Sequence, residues 1–182
     1  MRHTDESIAP RVVSYAPIST PLGYLFVAYH GQTVCYAALL SGKRAFERAC
    51  ARMFGVRPVS EPRLPEDMAK QIRDHLAGIR RFSGRIDLSQ LTPFQQRVLQ
   101  KIRTIPAGQV RSYGWVAKAI GAERAARAVG TALAKNPVPL LIPCHRVVRS
   151  DGHLGNYSGG GTAVKAKLLA FEGADLERRV HS

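Results

Sequence analysis

Two six-residue runs rich in strand formers, 24–29 and 34–39, flank His30-Gly31-Gln32-Thr33, and this spacing predicts a β-hairpin. The period of the apolar positions then changes. Phe46, Ala49, Cys50 and Met53 recur at i, i+3, i+4 and i+7, which predicts a helix over 43–54 with Cys50 on its core face. Cys35 falls inside a strand, so burial rather than metal or redox chemistry is expected of both thiols. Three prolines make 57–65 a loop; Met68, Ile72 and Leu76 mark a second helix over 65–76; and 85–88 reads as another short strand.

A boundary near 89–91 separates this α/β unit, 1–90, from a mostly helical one, 91–182. Thr92-Pro93-Phe94-Gln95 carries a capping hydroxyl, a proline at the first helical position and a Gln three residues after the cap. Phe94, Val98, Ile102 and Ile105 then form a stripe that runs to the Pro106-Ala107-Gly108 turn. Ser112 can cap a short helix from Tyr113 to Ile120, Gly121 ends it, and a second helix from Ala122 to Lys135 stops at Asn136-Pro137, the outline of a helix-turn-helix. Ala122, Ala126, Val129 and Leu133 should face the core, and Arg124, Arg127, Gly130, Thr131 and Ala134 should face outward. A recognition helix of Ala and Gly has few side chains that reach base edges, but it lets the backbone come close to DNA, favouring shape and phosphate contacts over sequence reading. The alternative is an Ala-rich packing helix with solvated arginines.

Charge sharpens the choice. In 182 residues, Lys+Arg 27 against Asp+Glu 13 gives a formal charge of +14. From Ser89 to Phe171 twelve basic residues face only Glu123 and Asp151. A polyanion, most often nucleic acid, is the natural partner of such a surface; a merely soluble cationic face is the plainer reading. The apolar run Val138 to Cys144 is seven residues with two prolines inside it, too short to cross a membrane, and Met1 to Glu6 leads into no signal-peptide core. The chain is therefore expected to stay in the reducing compartment where it is made. Three cysteines without a CxxC pair argue against a disulfide framework or a zinc knuckle.

The candidate chemistry sits in Ile142-Pro143-Cys144-His145-Arg146-Val147-Val148, which places a thiol beside an imidazole and a guanidinium. A thiol is nucleophilic as thiolate, and nearby positive charge or a base lowers its pKa, so Cys144 is the candidate reactive atom.

With Arg111-Ser112-Tyr113, Ala125 to Gly130, Asn136-Pro137-Val138-Pro139, Ile142 to Val148 and Gly155 to Gly160 in this order, the chain resembles the O6-alkylguanine-DNA alkyltransferases. The likeness is strong over 92–173; the first half matches only in outline. It implies an α/β fold: an N-terminal RNase H-like domain with a small antiparallel sheet, then a mostly helical, winged helix-turn-helix-like domain. It further implies binding of double-stranded DNA through the minor groove, largely independent of sequence, with the damaged base rotated out of the stack. The alkyl group of O6-alkylguanine, and of O4-alkylthymine, would pass irreversibly to Cys144 in a single turnover, with no cofactor and no metal. The expected state is a monomer that clusters on DNA, cytoplasmic and nucleoid-associated in a prokaryote or nuclear in a eukaryote.

The resemblance also assigns roles. Cys144 would be the nucleophile, with His145 reaching it through a water, because consecutive side chains of an extended segment diverge. Glu172 would orient His145. It immediately precedes Gly173, where a helix from about Thr162 should end, and a carboxylate there opposes the helix dipole, so either a cation compensates it or it is simply solvated. Tyr113 would present its hydroxyl near guanine N3, Asn136 would brace the turn after the recognition helix, and Arg127 would fill the gap left by the flipped nucleotide. Ser112, Arg124, Ala126, Gly130, Thr131 and Lys135 would line the DNA face. The carbonyls of Cys144 and Val147 and the amide of Ser158 would read the guanine edge, while Pro139, Gly155, Asn156 and Tyr157 would shape the alkyl pocket. Singly, Tyr113 could be a half-buried helix residue, Asn136 a C-cap and Gly155 a plain turn residue. Gly161 is an extra glycine after the loop, and His30, Cys35, Cys50 and His75 form no recognisable zinc set. No second thiol lies near Cys144 in sequence to regenerate it. Two rival functions remain: a damage sensor or helix-turn-helix regulator that binds without reacting, and a cysteine hydrolase, for which no acyl pocket is evident.

Overall fold

In the computed structural model, which describes residues 12–39 and 42–174, a meander of three antiparallel strands forms the N-terminal sheet. The segment Met1 to Glu6 and both outer limits of the two expected units lie outside the described residues. Strands β2 (Gly23–His30) and β3 (Thr33–Leu39) make the expected hairpin. Strand β1 (Ser14–Thr20) pairs with β2 and has no clear sequence signal, since Pro17 and the polar Ser14, Ser19 and Thr20 break its pattern. Two short strands, β4 (Val59–Ser60) and β5 (Arg85–Ile86), add parallel edges in the order β4-β1-β2-β3-β5, so the sheet is mixed rather than antiparallel throughout. The proline-rich segment expected to be loop can pair because its donors are Val59, to the Val13 carbonyl at 2.8 Å, and Glu61, to the Tyr15 carbonyl at 2.8 Å; Pro58 and Pro62 fall before and after them.

Helix α1 (Lys43–Phe54) has the expected bounds and buries Phe46 and Cys50 beneath Tyr15 and Phe26. Met53, expected on that stripe, is 43% exposed; the inner face instead turns toward partly buried Phe54. Helix α2 (Glu66–Leu76) buries Met68 and Ile72 as expected, and also His75.

Helix α3 (Pro93–Ile102) begins with a complete capping box: the Thr92 hydroxyl accepts from the Gln95 amide at 3.3 Å, and the Gln95 side chain accepts from the Thr92 amide at 3.0 Å. Strand β6 (Arg111–Ser112) leads into α4 (Tyr113–Ala119), capped by the Ser112 hydroxyl accepting from the Trp115 amide at 2.9 Å. Helix α5 (Ala126–Ala134) starts four residues later than expected, because 122–125 closes a turn with the Ala125 amide donating to the Ala122 carbonyl at 2.8 Å. Its buried face is Val129, Ala132 and Leu133. A 3-10 turn, Cys144–Arg146, strand β7 (Val147–Val148) paired parallel to β6, and α6 (Gly161–Phe171) complete the described chain.

One apolar core joins the halves: Leu25, Val27 and Ile72 pack in the same cluster as Val98, Ile102, Val129 and Ile142. The Ala37 amide also donates to the Pro137 carbonyl at 2.9 Å, fastening the sheet to the chain that leads into the 3-10 turn. Among the described residues no helix is long and apolar enough to cross a membrane, and no group of three His, Cys, Asp or Glu could hold a metal ion.

Candidate active site

Cys144 opens a 3-10 turn instead of lying in the extended segment that was expected, and its side chain is placed by Asn136. The Asn136 amide nitrogen donates to the Ile142 carbonyl at 2.9 Å and to Cys144 Sγ at 3.2 Å, while its oxygen accepts from the Val138 amide at 3.1 Å. The brace expected of Asn136 therefore extends to the thiol itself. From Leu141 to Val148 every residue is buried. Burial pushes the Cys144 thiol up, against the opposing pull of Asn136 and Lys165, so the resting group is a thiol; the local positive charge does not by itself make it a thiolate.

His145 and Glu172 meet as expected, at 2.9 Å between Nε2 and Oε1. A carboxylate accepts, so Nε2 carries the hydrogen and Nδ1 keeps its lone pair. That Nδ1 is buried and has no hydrogen-bond partner among the described residues. Burial holds the imidazole below its ordinary value, leaving it neutral and able to take a proton. Glu172 follows α6 at its C-terminal end, where the dipole called for a compensating cation, and Arg146 supplies it. Arg146 Nε reaches Oε2 at 2.9 Å, Nη2 reaches Oε1 at 2.8 Å, and Nη1 donates to the Ile105 carbonyl at 2.6 Å. Burial would raise the Glu172 carboxyl, but His145 and Arg146 outweigh it and bring it to about 2. The sequence offers Arg146 only as a guanidinium beside the thiol; the carboxylate at the helix end, which needs a cation, is the signal that pairs it with Glu172.

Lys165 was also missed. It is 1% exposed on α6, and its ammonium donates to the carbonyls of Val147 at 2.6 Å and Leu154 at 2.5 Å. Burial lowers it to about 8, while Cys144 acts in the opposite direction. Its position four residues before Leu169 and three before Leu168, on one helical face, is the trace it leaves in the sequence. The Val147 carbonyl expected to meet the base thus already accepts one hydrogen bond, as does that of Cys144 from the Val147 amide.

Tyr113 lies half-buried at the start of α4, with burial raising its phenol, so it keeps its proton. Gly155 and Gly130 crowd against it: a Cβ at Gly155, where φ is +70°, would sit 3.0 Å from the phenol oxygen, and one at Gly130 would sit 3.6 Å from the ring. Gly155 is thus more than a turn residue, and Gly130, expected to face outward, is half-buried toward Tyr113. The Tyr157 ring meets the His145 ring edge-on with centroids 6.4 Å apart. Pro139 is half-buried beside Ile142, Val147 is fully buried, and Asn156 and Ser158 are exposed. Gly161 becomes the first residue of α6.

On the outer side, Arg124, Arg127, Thr131 and Lys135 are exposed, Ala126 is half-buried, and Ser112 is committed to its cap. The lysine at 101 is no ordinary surface charge: its ammonium lies 4.8 Å from the Trp115 ring centroid, and the Arg111 guanidinium lies 5.4 Å from it.

Residues 93–174 match the family described as 6-O-methylguanine DNA methyltransferase, DNA binding domain. The methylated-DNA–protein-cysteine methyltransferase of Mycobacterium tuberculosis H37Rv is 36% identical over 162 residues, spanning 88% of this chain and 93% of that protein. The constitutive methylated-DNA–protein-cysteine methyltransferase of Bacillus subtilis is 36% identical over 159 residues, 87% and 94% of the two chains. The crystal structure of Mycobacterium tuberculosis OGT in complex with DNA is similar throughout, with a TM-score of 0.73 over 88% of this chain and 92% of that one, at 36% identity.

Proposed function

From the premise that this chain belongs to the methylated-DNA–protein-cysteine methyltransferases, we propose that Cys144 is the atom that receives the alkyl group. The protein is a DNA-binding repair methyltransferase that moves the alkyl group of O6-alkylguanine onto one of its own cysteines. The observation that carries the assignment is the buried Cys144 held by Asn136 beside a His145 whose Nδ1 has no partner and whose Nε2 is locked to Glu172.

The thiol proton passes through a bridging water to His145 Nδ1, and the Glu172 carboxylate, held in place by Arg146, stabilises the imidazolium that results. The Sγ–C bond forms as the C–O6 bond breaks, the electron pair goes to the guanine oxygen, and the base regains a proton. In net terms the thiol hydrogen and the alkyl group exchange places. Tyr113 keeps its proton and donates a hydrogen bond near guanine N3. The second lone pairs of the Cys144 and Val147 carbonyls, with the Ser158 amide, read the guanine edge, and Pro139, Gly155, Asn156 and Tyr157 bound the alkyl group. Cys35 and Cys50, pushed to about 12 by burial in a separate cluster, offer no thiolate for regeneration, so each molecule acts once.

The finer reading assigns 1–90 to an RNase H-like domain and 91–182 to a winged helix-turn-helix-like domain that enters the minor groove. The exposed face of α5, Arg127, Ala128, Thr131 and Ala134, supports it, with half-buried Ala126 and Gly130, the flanking Arg124 and Lys135 and the capped Ser112 near the DNA backbone and Arg127 replacing the flipped base. O4-alkylthymine as a second substrate, a monomer that clusters on DNA, and a cytoplasmic or nuclear location belong to the same proposal. Replacing Cys144 by Ala tests it: transfer is lost while DNA affinity stays within about twofold, because phosphate contacts carry binding. Equal loss of binding, or loss of transfer in Cys35→Ala but not Cys144→Ala, overturns it.

A further inference from the structure

His75 stands on α2, outside every element that carries the chemistry, and is 7% exposed. Both of its ring nitrogens are engaged. The Phe82 amide donates to Nδ1 at 3.0 Å, and Nε2 lies 2.9 Å from the Leu140 carbonyl oxygen. An amide can only donate here and a carbonyl can only accept, so the ring is neutral with its hydrogen on Nε2.

The residue it grips is unusual. Leu140 has φ of +74°, the one positive value at a non-glycine position among the described residues, and a branched side chain keeps that conformation only where its surroundings hold it. Two residues on, the Ile142 carbonyl accepts from Asn136 and from the Cys144 amide at 2.8 Å. The turn that delivers Cys144 is therefore held at two carbonyls, by Asn136 and, from the N-terminal half, by His75.

We propose that His75 is a positioning residue for alkyl transfer: it fixes Cys144 by holding the left-handed turn at Leu140, and it does so only while uncharged. The role rests on the reading that Cys144 is the acceptor. Protonation would set an N–H against the Phe82 N–H and break that bond; Nε2–H can still donate to Leu140, but the ring loses the second contact that fixes its orientation, and the turn loses its fixed hold. The charged and titratable groups facing His75 are Arg146 and His145 from the 3-10 turn and Glu172 after α6. Burial foremost keeps the ring below its ordinary value; the Leu140 carbonyl opposes this, Arg146 adds to it, and Glu172 opposes it. A cavity of about 30 Å³ bounded by His75, Leu140, His145, Arg146 and Glu172 gives water a way to these groups.

The test follows transfer from methylated duplex DNA to the full chain, mapped to Cys144, from about pH 8 to about pH 5, the range that brackets histidine titration. His75→Phe removes both hydrogen bonds. His75→Gln can restore both, because a carboxamide spaces its acceptor and donor much as the ring does, and it does not titrate. At about pH 8, His75→Phe should be slower by about tenfold and His75→Gln within about threefold of wild type, as expected for losing or keeping a buried hydrogen bond. Towards acid pH the wild-type rate should fall with two protons, from His145 and His75, and that of His75→Gln with one. Equal rates for His75→Phe and wild type, equal slowing of the two variants, or an unchanged proton dependence in His75→Gln would each overturn the role. A wild-type chain that places no alkyl group on Cys144 would instead remove the acceptor reading and this role with it.

Discussion

From Leu141 to Val148 no side chain reaches solvent freely and nearly every polar atom is bonded, whereas on α5 Arg127, Ala128, Thr131 and Ala134 lie open and make almost no tertiary polar contact. The two regions are separated by only a few residues of chain, and Asn136 at their junction belongs to the first. In the pocket, a thiol, an imidazole, a carboxylate, a guanidinium and an ammonium are taken out of water and held against one another, where each interaction is strong and any loss leaves a buried charge uncompensated. On the outer face, small side chains leave the helix surface open, and one long side chain, Arg127, is exposed among them. The contrast teaches that the pocket is held by the fold, while the outer face offers shape and charge, the features that the proposed recognition uses.

The largest expected effect comes from breaking the pocket. Glu172→Gln strips Arg146 and His145 of their anion, which should destabilise the fold by about 3 kcal/mol and slow transfer, with the acid limb of the rate profile displaced to lower pH because the imidazole loses the carboxylate that favours its protonation. The double variant with His145→Ala should transfer little more slowly than the worse single; multiplicative effects would leave Glu172 a structural cap. Because the Glu172 carboxyl is lowered from 4.5 to about 2, its stabilisation is present above the unfolded value and lost as pH falls toward about 2. His145 and His75, both held below 6.5, begin to weaken the fold earlier, as pH drops under that value. Denaturant unfolding across acid pH should show both windows in the wild type and lose the lower one in Glu172→Gln.

A smaller and more selective effect belongs to the outer face. Arg127→Ala should slow repair in duplex DNA by about tenfold or more, since unstacking a base costs a few kcal/mol and nothing long remains to fill the gap. Transfer from free O6-benzylguanine, which needs no flipping, should be unchanged. Equal slowing on both substrates would place Arg127 in the fold or pocket and erase the contrast. The smallest effect is that of Arg97→Ala, an exposed charge on α3, for which stability should change by less than about 0.5 kcal/mol and both rates should hold.

Local signals were legible where the chain determines its own structure. The capping box at Thr92, the α1 bounds, the Ser112 cap and the hairpin all rest on contacts within a few residues, and the pairing of His145 with Glu172 beside the Cys144 motif follows the expected positions. What escaped depends on distant partners. Strand β1 with its Pro17 and the proline-flanked β4 are strands only because each borrows hydrogen bonds from a neighbour. Charged residues on apolar faces, Lys165 and Arg146, look solvated until the carbonyls and carboxylate that receive them are brought in from elsewhere in the chain. The late start of α5 was hidden because Ala122 to Ala125 favour helix by composition while the 122–125 turn claims their backbone.

Intact mass after incubation with DNA containing O6-methylguanine, followed by peptide mapping, tests the central claim most directly. The expected result is a lasting increase of one methyl group per chain, on Cys144, that stops at one equivalent whatever the excess of DNA. Binding without a mass change would make the chain a sensor. A methyl group on Cys35 or Cys50, or turnover beyond one equivalent, would contradict Cys144 as the single-use acceptor.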